Sequence, residues 1–156
     1  MAVALIVAAG RGERLGGQTP KALVPVAGKP MVRWSLETVR SLADVTEIVV
    51  ALPAEAVAHA SAELAGARCV AGGAVRSDSV RAALAAAGEP GAVVVHDAAR
   101  PLAPASVFER ALAELERSGA DAVVVATPLA DTVKEVGDDD GVGAAALELI
   151  QRALEN

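Results

Sequence analysis

Residues 5–15 read Leu-Ile-Val-Ala-Ala-Gly-Arg-Gly-Glu-Arg-Leu, and Pro20-Lys21 follows shortly after. An apolar run opens directly into a loop holding two glycines, Gly10 and Gly12, and three cations, Arg11, Arg14 and Lys21. Glycines let the backbone approach a ligand closely and turn N–H groups toward it. Cations on the same loop add neutralising charge, and a triphosphate is the ligand that suits the combination. A plain glycine turn before a helix would leave the clustered cations without a role. A Walker-type loop requires Gly-Lys-Ser/Thr after its spacer, which is missing here. A dinucleotide fingerprint requires a third glycine where Leu15 stands. It also requires an acid at the end of the second strand, where the chain reads Val50-Ala51-Leu52-Pro53.

Two further segments carry chemistry. In Val95-His96-Asp97-Ala98-Ala99-Arg100-Pro101 an aspartate ends an apolar run, a placement suited to Mg²⁺ coordination or to a ribose hydroxyl. The plainer role for Asp97 is a cap or turn residue. For His96, a satisfied polar residue at a strand end is preferred over catalysis. In Gly72-Gly73-Ala74-Val75-Arg76-Ser77-Asp78-Ser79 the glycines permit close approach of a flat ligand, and Ser79 can hydrogen-bond a base edge. Ser77 or Asp78 is expected to cap the following helix. Only three lysines, at 21, 29 and 134, stand against eleven arginines. Lys21, directly behind the glycine loop, is therefore the lysine assigned to function.

The elements that must position these residues are legible from periodicity. Strands are predicted over Val3–Val7, Glu47–Leu52, Arg68–Ala71, Ala92–His96 and Asp121–Thr127. Helices are predicted over Pro30–Ala43, after Pro53, over Ser77–Ala87 and over Pro104–Arg117. Met31, Trp34, Leu36 and Val39 are candidate core residues on the first of these. Val107, Phe108, Ala111, Leu112 and Leu115 share one side of the last. Near-continuous Val/Ile/Ala strands imply burial on both faces. Alternation of strand and helix implies a three-layer α/β fold with a mostly parallel, Rossmann-like sheet. Such sheets bind ligands beyond the carboxyl ends of their strands, where the glycine loop, Gly72-Gly73 and Asp97 all fall. The region after Val136 differs: an acidic turn, Gly137–Gly141, precedes an amphipathic helix over Ala144–Leu154. A core over 1–136, with residues 137–156 as a terminal turn and helix of the same domain, is the expected organisation. The three aspartates of that turn are read as solvated rather than metal-binding.

Bulk properties narrow the classes. A chain of 156 residues can bury a core. Its net charge of −6 argues against nucleic acid or an anionic membrane as partner, so an anionic substrate must be held by a local cationic pocket. No apolar run approaches the ~18–20 residues of a membrane span. The N-terminus has no signal-type pattern. The single cysteine, Cys69, excludes an internal disulfide, and a cytoplasmic location is expected.

Together, Ala8-Ala9-Gly10-x-Gly12-x-Arg14-Leu15 with Pro20-Lys21, Gly72-Gly73-x-x-Arg76-x-Asp78-Ser79, His96-Asp97-Ala98-Ala99-Arg100-Pro101 and Asp131-Thr132-Val133-Lys134 resemble the 2-C-methyl-D-erythritol 4-phosphate cytidylyltransferases. The resemblance covers roughly residues 1–136. It implies a nucleotidyltransferase-type fold and transfer of a cytidylyl group from CTP to a polyol phosphate, with release of pyrophosphate. Such a transfer needs positioning and charge neutralisation more than covalent help. By the resemblance, Arg14 and Lys21 are the catalytic cations. Ala8, Ala9, Gly10, Gly12, Gly73, Ser79, Asp97 and Ala98 bind the nucleotide. Asp97 also serves Mg²⁺, while Arg100 and Thr132 face the acceptor, in part across a homodimer.

Ala74 stands where some family members carry an acid at the base pocket. Beyond Val136 the family's dimer arm, its Thr-x-x-Arg and Thr-Pro-Gln segments and its second catalytic lysine have no match. The expectation is a shortened chain that keeps the nucleotide half-site, loses turnover by orders of magnitude, and is a monomer or a dimer through a sheet edge. The alternatives are a non-catalytic nucleotide-binding α/β module, truncated or engineered, or a related sugar- or polyol-phosphate nucleotidyltransferase.

Overall fold

The computed structural model describes residues 1–10, 12, 19–89 and 91–128. Arg11, Arg14 and Thr132 lie outside the described residues, as do the acidic turn and the helix expected after it. Contacts divide the chain into Met1–Val125 and Ala126–Asn156. Every element below belongs to the first unit, and the expected division after residue 136 falls outside the described residues.

The chain opens with strand β1 (Ala2–Val7), then a 3₁₀ turn (Lys21–Leu23) and a two-stranded hairpin, β2 (Pro25–Val26) and β3 (Lys29–Pro30). There follow α1 (Met31–Arg40), β4 (Val45–Leu52), a 3₁₀ turn (Ala54–Ala56) and α2 (Val57–Glu63). The remaining elements are β5 (Arg68–Ala71), α3 (Arg76–Ala86), β6 (Ala92–Asp97) and α4 (Ala105–Ser118). The main sheet has the order β5-β4-β1-β6. All three of its pairings are parallel. The chain steps outward from β1 to β4 to β5, then returns to the other side of β1 for β6. That reversal places a topological switch point between the ends of β1 and β6, where open α/β sheets hold their ligands.

Alternation along the strands divides the core in two. Ala4, Ile6, Ile48, Val50 and Leu52 face one way, against Val32, Leu36 and Val39 of α1 and against Ala60 and Leu64. Val3, Leu5, Val49 and Ala51 face the other way, against Val80 and Ala83 of α3. Helices thus cover both faces of a parallel sheet, the three-layer arrangement that continuous apolar strands require. On α1 the buried residues are Val32, Ser35, Leu36 and Val39. Trp34 is only half-buried: its indole N–H donates to the Val26 carbonyl (2.9 Å) and its ring lies 3.5 Å beneath the Lys29 ammonium. It therefore pins the β2–β3 hairpin rather than filling the core.

That hairpin was not expected from sequence. Its two turn residues, Ala27 (φ 49°) and Gly28 (φ 84°), both adopt the left-handed conformation that a tight two-residue connection demands. The strand expected over Asp121–Thr127 is absent. The segment joins no ladder, and Val124 and Val125 are 86% and 54% exposed. An apolar β-prone run becomes a strand only where a neighbour offers a ladder, and none of the described residues pairs with it.

Leu36 is 1% exposed in the centre of the larger core. Leu36→Ala is expected to lower unfolding free energy by about 2–5 kcal/mol. Urea denaturation would show this as a lower midpoint with an unchanged slope.

Candidate active site at the switch point

A cleft of about 1260 Å³ opens over the carboxyl ends of the sheet. It exceeds the roughly 300–1,000 Å³ typical of a single drug-sized ligand. Three loops meet there: the glycine loop after β1, the Gly72–Arg76 turn after β5, and Asp97–Arg100 at the end of β6. A fourth segment, Pro53–Glu55 after β4, completes the wall.

Backbone hydrogen bonds that continue the ladders past the strand ends fix these loops. Ala8 N–H donates to Ala51 O (2.8 Å), Ala98 N–H to Val7 O (3.0 Å) and Gly72 N–H to Leu52 O (2.7 Å). Ala8 and Ala98 are consequently buried. Lys21 is brought back over the glycine loop by a hydrogen bond from its N–H to Gly10 O (3.3 Å). Gly12 adopts φ +71°, and a Cβ there would fall 2.9 Å from Lys21 Cβ. Glycine at 12 is thus what lets the lysine stem lie against the loop.

The β5 turn is built with the same economy of space. A Cβ on Gly72 would lie 2.4 Å from Ala9 Cβ and 2.8 Å from Ser79 Oγ. Ser79 is 2% exposed. Its hydroxyl accepts from Gly73 N–H (3.2 Å) and donates to Val75 O (3.3 Å), so it shapes the turn that walls the cleft. The expected cap is not made by Ser77 or Asp78. The helix begins at Arg76 with Val75 at its N-cap, which carries both residues into the first turn. Asp78 there pairs with Arg81 and complements the helix N-terminus.

His96 and Asp97 point to opposite sides of β6, as neighbours on a strand must. His96 is 6% exposed, with Nε2 3.1 Å from Ser35 Oγ and its ring edge-on to Phe108 at 5.0 Å between centroids. This is the satisfied structural role expected for it. Burial pushes the imidazole below its usual pKa; Arg100 acts in the same direction and Asp97 opposes. Asp97 faces the cleft, where Oδ1 accepts from Arg76 Nε at 3.0 Å. Arg100 is exposed at the cleft rim.

Of the expected site residues, the structure thus gathers Ala8, Ala9, Gly10, Gly12, Lys21, Gly73, Ser79, Asp97, Ala98 and Arg100 around one cleft. Two charged residues of the wall, Arg76 and Glu55, had no role assigned from the sequence. Arg76 had a signal, since it stands inside the Gly72–Ser79 motif. Glu55 had none, because only the turn after β4 brings it to the cleft.

A parallel sheet with helices on both faces and a multi-loop cleft at its switch point defines a doubly wound α/β protein, whose ligands sit beyond the strand ends. Comparison with known proteins gives the family. The model for "IspD: 2-C-methyl-D-erythritol 4-phosphate cytidylyltransferase" matches residues 2–148, and the chain belongs to that family. The 2-C-methyl-D-erythritol 4-phosphate cytidylyltransferase of Nocardia farcinica is 50% identical over 157 residues, covering 96% of this chain and 67% of its own length. That of Frankia casuarinae is 52% identical, covering 88% of this chain and 52% of its own length. The chain therefore spans between about half and two thirds of these relatives. Among solved structures, 4-diphosphocytidyl-2C-methyl-D-erythritol synthase from Anaerococcus prevotii superposes with a TM-score of 0.72 at 26% identity, over 89% of this chain and 61% of that one.

Two predictions follow from the packing. Gly72→Ala forces Ala9 or Ser79 to move and is expected to cost about 1–3 kcal/mol, read as a lowered thermal midpoint. The second concerns His96. Its folded pKa lies below its unfolded value, so the unfolded chain takes up the proton first as pH falls. Stability is then full above about pH 6.5 and declines as pH drops below it. Urea midpoints measured from pH 7.5 to 5 should show the decline, and His96→Gln should flatten it.

Proposed function

We propose that this chain binds CTP in the switch-point cleft and handles the nucleotide in cytidylyl transfer to 2-C-methyl-D-erythritol 4-phosphate. The observation that carries the proposal is the meeting of Gly10, Gly12 and Lys21 with Gly72, Gly73, Asp97 and Arg100 around one cleft. In the reaction, a phosphate oxygen of the acceptor attacks the α-phosphorus of CTP. The bond from that phosphorus to the bridging oxygen breaks, and pyrophosphate leaves. Catalysis in such a displacement consists of alignment and of neutralising charge on the phosphates.

The roles proposed for the cleft residues rest on their places around it, and those of Arg14 and Thr132, outside the described residues, on the resemblance alone. Backbone N–H groups of the glycine loop and the Lys21 ammonium face the triphosphate, with Arg14 as second cation. Ala8, Ala9, Gly73 and Ser79 bound the base. Asp97 and Ala98 lie beside the ribose, while Arg100 and Thr132 serve the acceptor.

Asp97 is the residue that would hold magnesium. No cluster of three or more potential ligands occurs among the described residues. Mg²⁺ at nucleotide sites commonly relies on one or two carboxylates plus substrate phosphates, so the lone Asp97 carboxylate at the cleft fits that mode. When bound, the ion would neutralise phosphate charge. No helix among the described residues is long and apolar enough to cross a membrane.

The alternative reading is nucleotide binding without efficient turnover. Lys29 is engaged with Glu37 and the Trp34 ring, so among the described residues Lys21 is the one lysine at the cleft. Two measurements separate the readings. Calorimetry should show CTP binding with Mg²⁺, at least about tenfold weaker in Lys21→Ala, the loss expected for a charge-assisted phosphate contact. Pyrophosphate release with both substrates then reports turnover. Release abolished by Lys21→Ala supports the enzyme, and binding without release supports the module. No binding at millimolar CTP would overturn both.

A further inference from the structure

Among the described residues, one ion pair joins two of the loops that wall the cleft: Arg76 Nε to Asp97 Oδ1, at 3.0 Å. Arg76 opens α3 just after β5, and Asp97 ends β6. β5 and β6 are the outer strands of the main sheet, with β4 and β1 between them. The pair therefore links the turn after β5 to the end of β6 at the lining of the cleft. Its side chains are 59% and 32% exposed, so both are open to exchange with an incoming group. Exposed pairs of this kind are weakly held.

The pairing uses little of either partner. A guanidinium carries five N–H donors in a planar fork, and only Nε–H is engaged in the contacts found among the described residues. That fork matches a phosphate at least as well as a carboxylate. A triphosphate carries several negative charges to the single charge of Asp97, so it attracts the arginine more strongly and repels the aspartate. Entry of phosphates beside an intact pair leaves that repulsion standing; transfer of the guanidinium to the phosphates relieves it.

We propose that Arg76 is a phosphate ligand of the nucleotide, held in waiting by Asp97. When the triphosphate enters, the guanidinium passes from the carboxylate to phosphate oxygens. Asp97 is released to face a cation accompanying them. This inference rests on the assignment of the cleft to a nucleotide, and it gives Asp97 a function before the ligand arrives.

The exchange has a signature that simple electrostatics lacks. Asp97 restrains the arginine only if the arginine is there to restrain. CTP binding is measured by calorimetry, without divalent metal, for the parent chain, Arg76→Ala, Asp97→Asn and the double variant. Arg76→Ala is expected to weaken binding about tenfold, and Asp97→Asn to strengthen it several-fold. The gain from Asp97→Asn should be at least about threefold smaller when Arg76 is absent, which is the coupling a double-mutant cycle isolates. Arg76→Lys should recover part of the affinity. Inorganic tripolyphosphate should reproduce the cycle, since the contact is to phosphate. Thermal melts should stay close to that of the parent, because the pair is exposed. Binding with additive effects, or unchanged affinity in Arg76→Ala, would overturn the exchange alone. Absence of CTP binding by the parent chain, with or without Mg²⁺, would overturn it together with the nucleotide assignment.

Discussion

Everything at the cleft depends on the double pairing of one buried strand. β1 is hydrogen-bonded in parallel to β4 on one side and β6 on the other, and Ala2–Ile6 are all buried. A strand covered on both faces cannot carry reactive groups along its length, because an unpaired polar side chain there would cost more than the sheet can spare. The chemistry is forced to where the strand ends. Three further hydrogen bonds, Ala8 to Ala51, Ala98 to Val7 and Gly72 to Leu52, carry the ladders one residue beyond the strands. The first residue of each loop is thereby fixed by the sheet itself.

Glycines then decide how closely those loops approach one another. Gly72 brings the β5 turn against Ala9 and Ser79 at a separation no other residue permits. Gly12 does the same for the stem of Lys21. The β5 turn and the stem of Lys21 are thus tied to the first loop by steric fit rather than by strong polar contacts. This is a rigid way to hold a site whose polar groups must remain available to a ligand.

Most of this was legible in the sequence, for a definite reason. Parallel strands buried on both faces leave continuous apolar runs, and Arg68–Ala71 was bounded to the residue. The convergence of the glycine loop, Gly72-Gly73 and Asp97 followed from strand ends alone. What escaped was tertiary. Asp121–Thr127 has the composition of a strand, yet strand formation depends on a partner that composition does not show. The β2–β3 hairpin is too short for periodicity to register, and its hold on Trp34 is a contact between elements. Ser77 and Asp78 looked like caps, but helix onset one residue earlier moved the cap to Val75, which has no side-chain acceptor. Glu55 reached the cleft through a turn that only the folded chain defines.

β6 shows how one strand can serve stability and chemistry without conflict. Its alternate residues face opposite sides. His96 turns inward to Ser35 and Phe108, where burial favours the neutral imidazole. Asp97 turns outward to Arg76 and the cleft. A neutral, hydrogen-bonded ring is an inexpensive group to bury, whereas a carboxylate is not. The order His-Asp at the strand end therefore assigns the buried place to the group that can lose its charge. The open place goes to the carboxylate, which is the costlier group to bury. Shifting the register of β6 by one residue would bury the carboxylate under α1 and α4 and leave the imidazole at the cleft. The pairing of Ile6 with His96 and Val7 with Asp97 guards against that slip, because the apolar neighbours Val93 and Val94 would change sides with them. The Asp97 carboxylate is therefore held at the cleft by the packing of apolar residues on the two faces of the sheet.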